Sequence, residues 1–321
     1  MRVSERGFAV IAVLLMIAVL VTVTLDVNGA ARAEITEAIL YADGVQLAAM
    51  ARSGIQGALA VLSDDDRSVD HLNEEWARSE DFSYASAALF EDGYVSLKID
   101  DESGKIPLNS LVKKGGGANE KVAGVLLRLL TLPSFGLTDQ EARDIVDAVV
   151  DWIDEDDEVT GFGAESSYYQ GLRQPYRCKN GPLDSLEELL RVRGVTADLY
   201  FGSKDRLGFA DLLSIADNGT ININTAHPLV LQCLDDGIAE DLAEAMNDYR
   251  REAGHDLSRV TWYKDVTGMA FMTIDSDLIT IRSSIFRVRS TAYLRSKSAS
   301  SSAFLKRGDD GRVFILSWKD R

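Results

Sequence analysis

The most apolar stretch of the chain runs without a charge or a proline from Phe8 to Leu25. A helix over this stretch would measure about 27 Å at ~1.5 Å per residue, close to the hydrocarbon thickness of a bilayer. Small and apolar residues then recur at spacings of three and four from Tyr41 to Leu62, and no proline interrupts them. The pattern predicts one long helix over 8–62, of which 8–25 spans a membrane.

The pattern changes to alternation at three places. Tyr94 to Asp100, Phe286 to Leu294 and Val313 to Trp318 each read as strands. Before them, 63–93 reads as an acidic loop with a short helix, and the serine-rich 296–302 reads as a connection. Helical periodicity fills the middle, with two helices over 119–154, a capping box at Thr138 to Glu141, and another helix over 239–252. Strands on both sides of a helical block predict an α+β fold, in which a large all-helical domain is inserted into a small antiparallel sheet packed on the long helix.

The flanks of the first helix allow three interpretations. Arg2 and Arg6 precede it and Asp26 follows it, which predicts a cytoplasmic N-terminus and translocation of the rest. A plain anchor fits, and so does a cleaved secretory signal, because Ala30-Ala31-Arg32-Ala33 imitates a cleavage site. The third interpretation is a prepilin leader. Arg6-Gly7-Phe8 resembles the type IV prepilin site, where a peptidase cuts after Gly7 and methylates Phe8, the new N-terminus.

An internal repeat suggests how the helical block is divided. Gly104 to Leu111 and Gly219 to Ala226 share the frame G-x-I-x-(L/I)-N-(S/T). A second pair of segments, ending at Val195 and Met269, shares Val-x-Gly followed by an apolar residue. The predicted organisation is therefore a leader over 1–7, the helix over 8–62, sheet segments over 63–109 and 284–321, and an insert over 110–283 with helix-hairpin-helix-like subdomains over about 110–210 and 219–283.

The composition of the chain restricts the kinds of partner that it can bind. The chain has 34 basic and 51 acidic residues, a net charge of −17. This charge opposes a nucleic-acid partner, which needs a basic surface, and fits a solvated surface or a divalent-cation binder. The translocated side would be oxidising, so Cys178 and Cys233 are a candidate disulfide, although spacing alone does not fix their separation.

One acidic segment carries candidate chemistry. Asp154, Asp156, Glu158 and Glu165 occupy relative positions 1, 3, 5 and 12, the frame of an EF-hand loop, and Asp151 lies one turn earlier. Val159 stands where an EF-hand has glycine. We therefore predict a calcium site with oxygen ligands from this loop, not an EF-hand; a solvated acidic loop is the alternative.

Several motifs together resemble a known family. These are Asp151-Trp-Ile-Asp-Glu-Asp156, Gly163-Ala-Glu165 with Tyr168-Tyr169, and Asn180-Gly-Pro182 ahead of Leu186-Glu-Glu-Leu189. With the prepilin-like start, the chain resembles minor pseudopilin K of the type II secretion system. The resemblance implies a single-pass inner-membrane protein with a periplasmic bulk, calcium in the inserted domain, and assembly with the I and J minor pseudopilins at the pseudopilus tip.

The fifth residue after the leader supports a tip position. Most pilins have glutamate there, and it is thought to pair with the N-terminal amine of a neighbouring subunit. Here the residue is Ala12, as the resemblance to protein K implies.

Other classes of function remain as alternatives. Ile221 to Ala226 and Asp265 to Met269 resemble the helix-hairpin-helix module of membrane-anchored DNA receptors, but each candidate hairpin has a single glycine, Gly194 or Gly268. A minor pilin of a related type IV system is a second alternative. An enzyme is not expected: His71, His227 and His255 form no metal frame, and no G-x-S-x-G motif occurs.

Overall fold

The computed structural model describes residues 4–78, 80–90, 92–204, 206–216, 219–308 and 310–320. Residues 1–3 of the predicted leader, including Arg2, lie outside them. In chain order the helices are α1 (Ser4–Asp64), α2 (Glu80–Ala87), α3 (Glu120–Thr131), α4 (Asp139–Ile153), α5 (Ser166–Gln170), α6 (Ala197–Phe201), α7 (Pro228–Gln232) and α8 (Glu240–Arg251). The strands are β1 (Gly93–Asp101), β2 (Ile106–Pro107), β3 (Gly202–Ser203), β4 (Arg206–Leu207), β5 (Leu213–Ser214), β6 (Ile221–Asn222), β7 (Ile279–Thr280), β8 (Ile285–Leu294), β9 (Lys297–Arg307) and β10 (Val313–Asp320).

The predicted long helix is confirmed, and it divides into a bare half and a packed half. Helix α1 has 61 residues and is therefore roughly 90 Å long. Its residues from Gly7 to Ala42 are exposed, and Asp43 is the first buried one. The apolar half is long and hydrophobic enough to cross a membrane. Farther along, Ile55, Ala58 and Leu62 are buried against the sheet.

The four-stranded antiparallel sheet has the order β1-β8-β9-β10. Its helix-facing side is apolar, because alternate residues such as Leu97 and Ile99 on β1 and Phe286 and Val288 on β8 are buried under α1. The opposite side carries Arg287 and Arg289. The α+β class and the alternation predicted for these strands are thus confirmed.

The serine-rich stretch 296–302 is a strand and not a connection, so that prediction was wrong. Most of it belongs to β9, which pairs with β8 across a tight turn at Arg295, whose φ is +55°. Serine suits this strand because two of its hydroxyls reach partners on the neighbouring strands: Thr291 Oγ1 and Ser300 Oγ lie 3.0 Å apart, and Ser301 Oγ donates to Asp320 Oδ1 at 2.5 Å. Cross-strand pairing outweighs the low strand propensity of serine here.

The helical block lies between β1 and β8, and the two repeated motifs have equivalent roles in it. Ile106 in the first motif pairs in parallel with Leu213, and Ile221 in the second pairs in parallel with Ile279. The asparagines at equivalent positions of the two motifs donate hydrogen bonds to backbone carbonyls that lie later in the chain. Asn109 Nδ2 donates to the carbonyls of Leu183 and Ile215, and Asn224 Nδ2 donates to the carbonyl of Leu257. Each motif therefore opens a helical unit and fixes its end.

A buried polar network ties the helical block to the sheet. Asp101, at the end of β1, accepts hydrogen bonds from Thr225 and Ser283, both at 2.5 Å. Beside it are Asp65, Asp70 and Glu74, whose carboxylate oxygens lie within 4.8 Å of one another. We call these three residues the junction cluster. Arg307 lies inside it and donates to Asp70 at 2.7 Å and to Asp65 at 2.8 Å. A guanidinium thus pairs with two of these three carboxylates.

The candidate disulfide between Cys178 and Cys233 does not form in this structure. Both thiols are free and buried. Each thiol has its own hydrogen-bond partner. Cys178 Sγ donates to the carbonyl of Asp151 at 3.3 Å, and Cys233 Sγ donates to the carbonyl of Leu229 at 2.9 Å. Burial raises the pKa of each thiol to about 12, which keeps both protonated and unreactive.

Candidate metal centre

Two helix ends bring three acidic side chains of the insert together. The capping box at Thr138 and Glu141 starts α4, as predicted, and α4 presents Asp151 on its last turn with Asp154 as its C-cap. After a loop, Glu165 is the N-cap of α5. The ligand atoms of Asp151, Asp154 and Glu165 lie within 4.8 Å of one another. We call these three residues the acidic trio.

The loop between the two helices depends on two glycines. Gly161 has φ of +50°, a conformation that side-chain-bearing residues rarely adopt. A Cβ at Gly163 would collide with Asp151 Oδ2. The absence of these side chains lets the loop backbone approach the carboxylates, so the amide of Thr160 donates to Asp151 Oδ1 at 2.9 Å and that of Phe162 donates to Asp147 Oδ2 at 3.0 Å.

The trio is buried, and its oxygens lack partners. Asp151 is fully buried, Glu165 is 1% exposed and Asp154 is 7% exposed. One oxygen of each, Asp151 Oδ2, Asp154 Oδ1 and Glu165 Oε1, is buried with no hydrogen-bond donor among the described residues. An unpaired buried carboxylate oxygen is costly, so three of them facing one another indicate a place for a cation.

The ionisation of the trio agrees with its geometry. Burial, followed by the charges of Asp156 and Asp151, raises the pKa of Asp154 to about 7. Burial, followed by the charges of Asp151 and Asp154, raises the pKa of Glu165 to about 7. Burial is also the largest cause that raises the pKa of Asp151. With no cation, these groups therefore resist ionisation at neutral pH.

Only part of the predicted ligand set comes together. Asp156 and Glu158 are exposed and lie outside the trio. The reason is local, because Asp156 Oδ1 turns back to accept a hydrogen bond from the amide of Glu158 at 2.8 Å, which closes an Asx turn. The alternation of an EF-hand frame is therefore not reproduced, and the ligands of the trio come from helix ends instead.

Sequence reasoning missed Asn180. Its φ of +46° is left-handed, and its Oδ1 is also buried without a partner. Its Nδ2 donates to the carbonyl of Asp156 at 2.5 Å and to Asp157 Oδ1 at 3.2 Å, which places the amide beside the acidic loop. The Asn-Gly-Pro motif was the available signal, because asparagine tolerates this conformation better than most residues.

A layer of aromatic side chains supports the loop between α4 and α5. The Tyr169 ring is buried, packs edge-on against Trp152 and stacks on Tyr176. Arg193 donates to the carbonyls of Phe162 and Gly163, both at 3.0 Å. The backbone around the trio is thereby held on both sides, so the carboxylates do not depend on an exposed loop for their position.

The donor set suits a hard cation. All candidate atoms are carboxylate or amide oxygens, which Ca²⁺ prefers, and Cys178 is engaged by a backbone carbonyl. The junction cluster has similar dimensions, but Arg307 occupies the role of the cation there. Among the described residues the acidic trio is thus the better candidate metal centre.

Comparisons with known proteins agree with this architecture. Residues 104–202, which include the trio, match the model for the first domain of type II secretion system protein K. Type II secretion system protein K of Aeromonas hydrophila is 27% identical over 97% of this chain and 96% of its own length. The Pseudomonas aeruginosa protein of the same name is 27% identical over 99% of this chain and 93% of its own length.

The fold is similar to that of a solved relative. One chain of the GspK-GspI-GspJ complex of the type II secretion system from enterotoxigenic Escherichia coli superposes with a TM-score of 0.70 at 20% identity, and the match covers 88% of this chain and 98% of that one. The relatives are matched from one end to the other, and the family-specific domain coincides with the part of the insert that holds the trio. Residues 104–202 thus match the protein K domain, and nearly the whole chain is similar to type II secretion system protein K.

Proposed function

We propose that this chain, a minor pseudopilin of type II secretion, occupies the tip of the pseudopilus and initiates or caps it during export across the outer membrane. The observation that carries the proposal is the similarity to protein K over nearly the whole chain. The shape agrees with it. The insert between β1 and β8 is larger than the sheet that carries it, and such a mass fits the end of a filament better than its shaft.

The bare half of α1 supports storage in a membrane followed by packing in a filament. Apolar side chains from Phe8 to Leu25 are exposed on every side of the helix. Such a surface must be covered, first by lipid and then by neighbouring helices. We propose single-pass insertion in the inner membrane with a cytoplasmic N-terminus and a periplasmic bulk. Prepilin peptidase then cuts after Gly7 and methylates Phe8, and Ala12 leaves the subunit without an acceptor for a further amine.

The partners we propose are the minor pseudopilins of the I and J type. The similar solved structure is a complex of GspK with GspI and GspJ, and this chain has the same fold as one of its members. Its role is structural, and we propose neither catalysis nor nucleic-acid binding. Gly268, with φ of +91°, is the single glycine of the second hairpin, and the net charge of −17 repels duplex DNA.

We further propose that the acidic trio holds Ca²⁺. The support is the set of buried oxygens without donors on Asp151, Asp154 and Glu165, with Asn180 Oδ1 nearby in the same loop system. Bound calcium supplies the positive charge that these carboxylates lack. The chain itself contributes a fixed helix end, a glycine-dependent loop and an aromatic support. Asp156 and Glu158 remain predicted ligands only for a rearranged loop.

Assembly is tested by co-expressing the full chain with the I- and J-type pseudopilins of its own secretion system and purifying the complex in detergent, with calcium or with chelator. We expect a stoichiometric complex of the three subunits in calcium. Glu165→Gln should weaken it and the matched variant Glu74→Gln should not. If no complex forms under either condition, the tip proposal is wrong.

Processing is tested separately by mass spectrometry of the N-terminus in cells with and without prepilin peptidase. We expect a methylated Phe8 in the first case and the intact leader in the second. Cleavage near Ala33 in both cases would instead identify a secretory signal, and an intact N-terminus in both would identify a plain anchor.

A further inference from the structure

The two edge strands of the sheet, β1 and β10, differ in how far other parts of the chain cover them. At the β1 edge, α2 packs over the strand, and Ser86 Oγ both accepts from the amide of Val95 at 2.9 Å and donates to its carbonyl at 3.1 Å. At the other edge, β10 pairs with β9 on one side. On its outer side no described residue bonds to its backbone. An unprotected edge of this kind is a template for another strand.

The bare edge is also apolar. Phe314, Ile315 and Leu316 are 49%, 40% and 55% exposed, and no charge interrupts the run from Val313 to Trp318. The pairing of β10 with β9 shifts between Ile315 and Ser317, which marks a β-bulge at Leu316. Protein edges are normally short, charged or covered, so an eight-residue edge strand whose first six residues carry no charge points to a partner that covers it.

A cavity of about 350 Å³ lies beside this edge, between the outer face of the sheet and the insert. Its apolar lining includes Leu316, Phe304 and Ile285 from the sheet and Ile215 from the insert. The volume suits one or two large apolar side chains. A strand added to β10 would therefore gain main-chain hydrogen bonds along the edge and a pocket for an anchoring side chain.

The charges at the edge select the kind of strand. Lys306 and Lys319 are exposed, and neither forms an ion pair within the described parts of the chain. Farther along β10, Asp320 is held by Arg52 of α1 and by Ser301, which fixes that end of the strand in place. A second copy of this chain would bring the same lysines to the shared edge, so copy-to-copy pairing is disfavoured.

We propose that the outer edge of β10 binds an extended segment of a partner protein in which apolar residues alternate with acidic ones. The apolar side chains face Leu316 and the cavity, and the carboxylates face Lys306 and Lys319. This site goes beyond the tip proposal and does not depend on it, because it requires only an accessible edge on the folded sheet.

The test uses the full chain in detergent and blocked peptides of about eight residues in which valine alternates with glutamate or with lysine. Trp318 fluorescence reports binding, and amide hydrogen exchange over 313–319 locates it. We expect the glutamate peptide to bind at least tenfold more tightly than the lysine peptide and to protect the β10 amides. N-methylation of alternate peptide nitrogens should abolish binding, because it removes the main-chain donors.

Variants of the chain distinguish binding at this site from nonspecific hydrophobic binding. Leu316→Lys should weaken binding at least tenfold, while Phe271→Lys, at a fully exposed phenylalanine of the insert, should leave it unchanged. The double variant Lys306→Glu/Lys319→Glu should reverse the preference toward the lysine peptide, and it does not rely on an apolar substitution. Equal affinity for both peptides, binding that survives N-methylation, no binding at all, or dimers of the chain that Leu316→Lys dissociates would each overturn the proposal.

Discussion

Two groups of three acidic residues in this molecule each have ligand oxygens within 4.8 Å of one another, but their surroundings differ. In the junction cluster, Arg307 donates to Asp70 and Asp65, and Asp70 also accepts from the amide of Ser283 at 2.7 Å. In the acidic trio, one oxygen of each residue faces its neighbours without a donor. The geometry of close carboxylates therefore does not identify a cation site. The number of hydrogen-bond donors that face the carboxylate oxygens does identify one, because it shows whether the chain has already supplied the compensating positive charge.

The difference also explains how each group acts on the fold. The junction cluster connects α1, the helical block and β9 through residues far apart in sequence, and its ion pairs are sealed from solvent. The trio lies within 15 residues of loop and helix end. The ion pairs of Arg307 with Asp65 and Asp70 should therefore be required for folding, whereas the trio should tolerate loss of charge and respond to a metal.

The largest effect should follow removal of the junction guanidinium. Arg307→Met leaves Asp70 and Asp65 buried and uncompensated, so we expect a loss of about 3–5 kcal/mol of unfolding free energy. The melting temperature should fall by about 10 °C. The control is Arg259→Met, which breaks an exposed pair with Asp265 and should change stability by less than about 1 kcal/mol. Equal effects of the two variants would show that Arg307 does not neutralise the cluster.

Calcium should give the next largest effect. At about a hundred times the dissociation constant, a ligand that binds only the folded chain contributes about 2.7 kcal/mol, which raises the melting temperature by roughly 5–10 °C. Glu165→Gln should remove most of this response, and Glu74→Gln should keep it. A response that survives Glu165→Gln and disappears with Glu74→Gln would move the site to the junction.

Neutralising single carboxylates should change stability in opposite directions at the two groups. Without calcium at pH 8, Asp154→Asn removes a buried charge that has no partner and adds a donor, so stability should rise by on the order of 1 kcal/mol. Asp70→Asn removes the partner of Arg307 and should destabilise the chain. Denaturant unfolding at equal pH measures both. A loss of stability in calcium-free Asp154→Asn would show that the trio already has a partner.

The pH dependence should give the smallest effect. The folded pKa of Asp154 is raised from 3.8, and that of Glu165 from 4.5, to about 7. The folded chain therefore binds more protons than the unfolded chain, and this contribution to stability is present below about pH 4 and lost as pH rises through 7. Calcium-free stability should fall between pH 5 and 8, and calcium should flatten the slope.

Glu74, whose pKa burial also raises to about 7, contributes in the same direction. The double variant Asp154→Asn/Glu165→Gln must therefore lose only part of the slope. An unchanged slope in that variant would assign the whole effect to the junction and not to the trio.

The sequence predicted the features that depend on near neighbours. The long helix, the α+β class and the capping box at Thr138 follow from periodicity and local hydrogen bonding, and all are present. Asp151, Asp154 and Glu165 were reachable from their spacing because two helix ends fix them. The same spacing argument also included Asp156, whose carboxylate closes an Asx turn in this structure, so its role as a ligand stays a prediction.

The features that the sequence did not predict depend on distant contacts. Arg307 and Asp70 are 237 positions apart, and no local pattern links them. Asn180 joins the acidic loop from 23 and 24 positions away. The strand over the serine-rich segment depends on partners in β8 rather than on its own propensity. In each case tertiary pairing, and not local preference, determines the outcome.

We propose that the acidic trio, and not the junction cluster, holds a divalent cation. Isothermal titration of Ca²⁺ into the full chain in detergent tests it most directly, with Glu165→Gln and Glu74→Gln as the matched pair. We expect saturable binding in the parent and in Glu74→Gln, and loss of that binding in Glu165→Gln. Binding that Glu165→Gln leaves intact, or a parent chain that takes up no calcium, would contradict it.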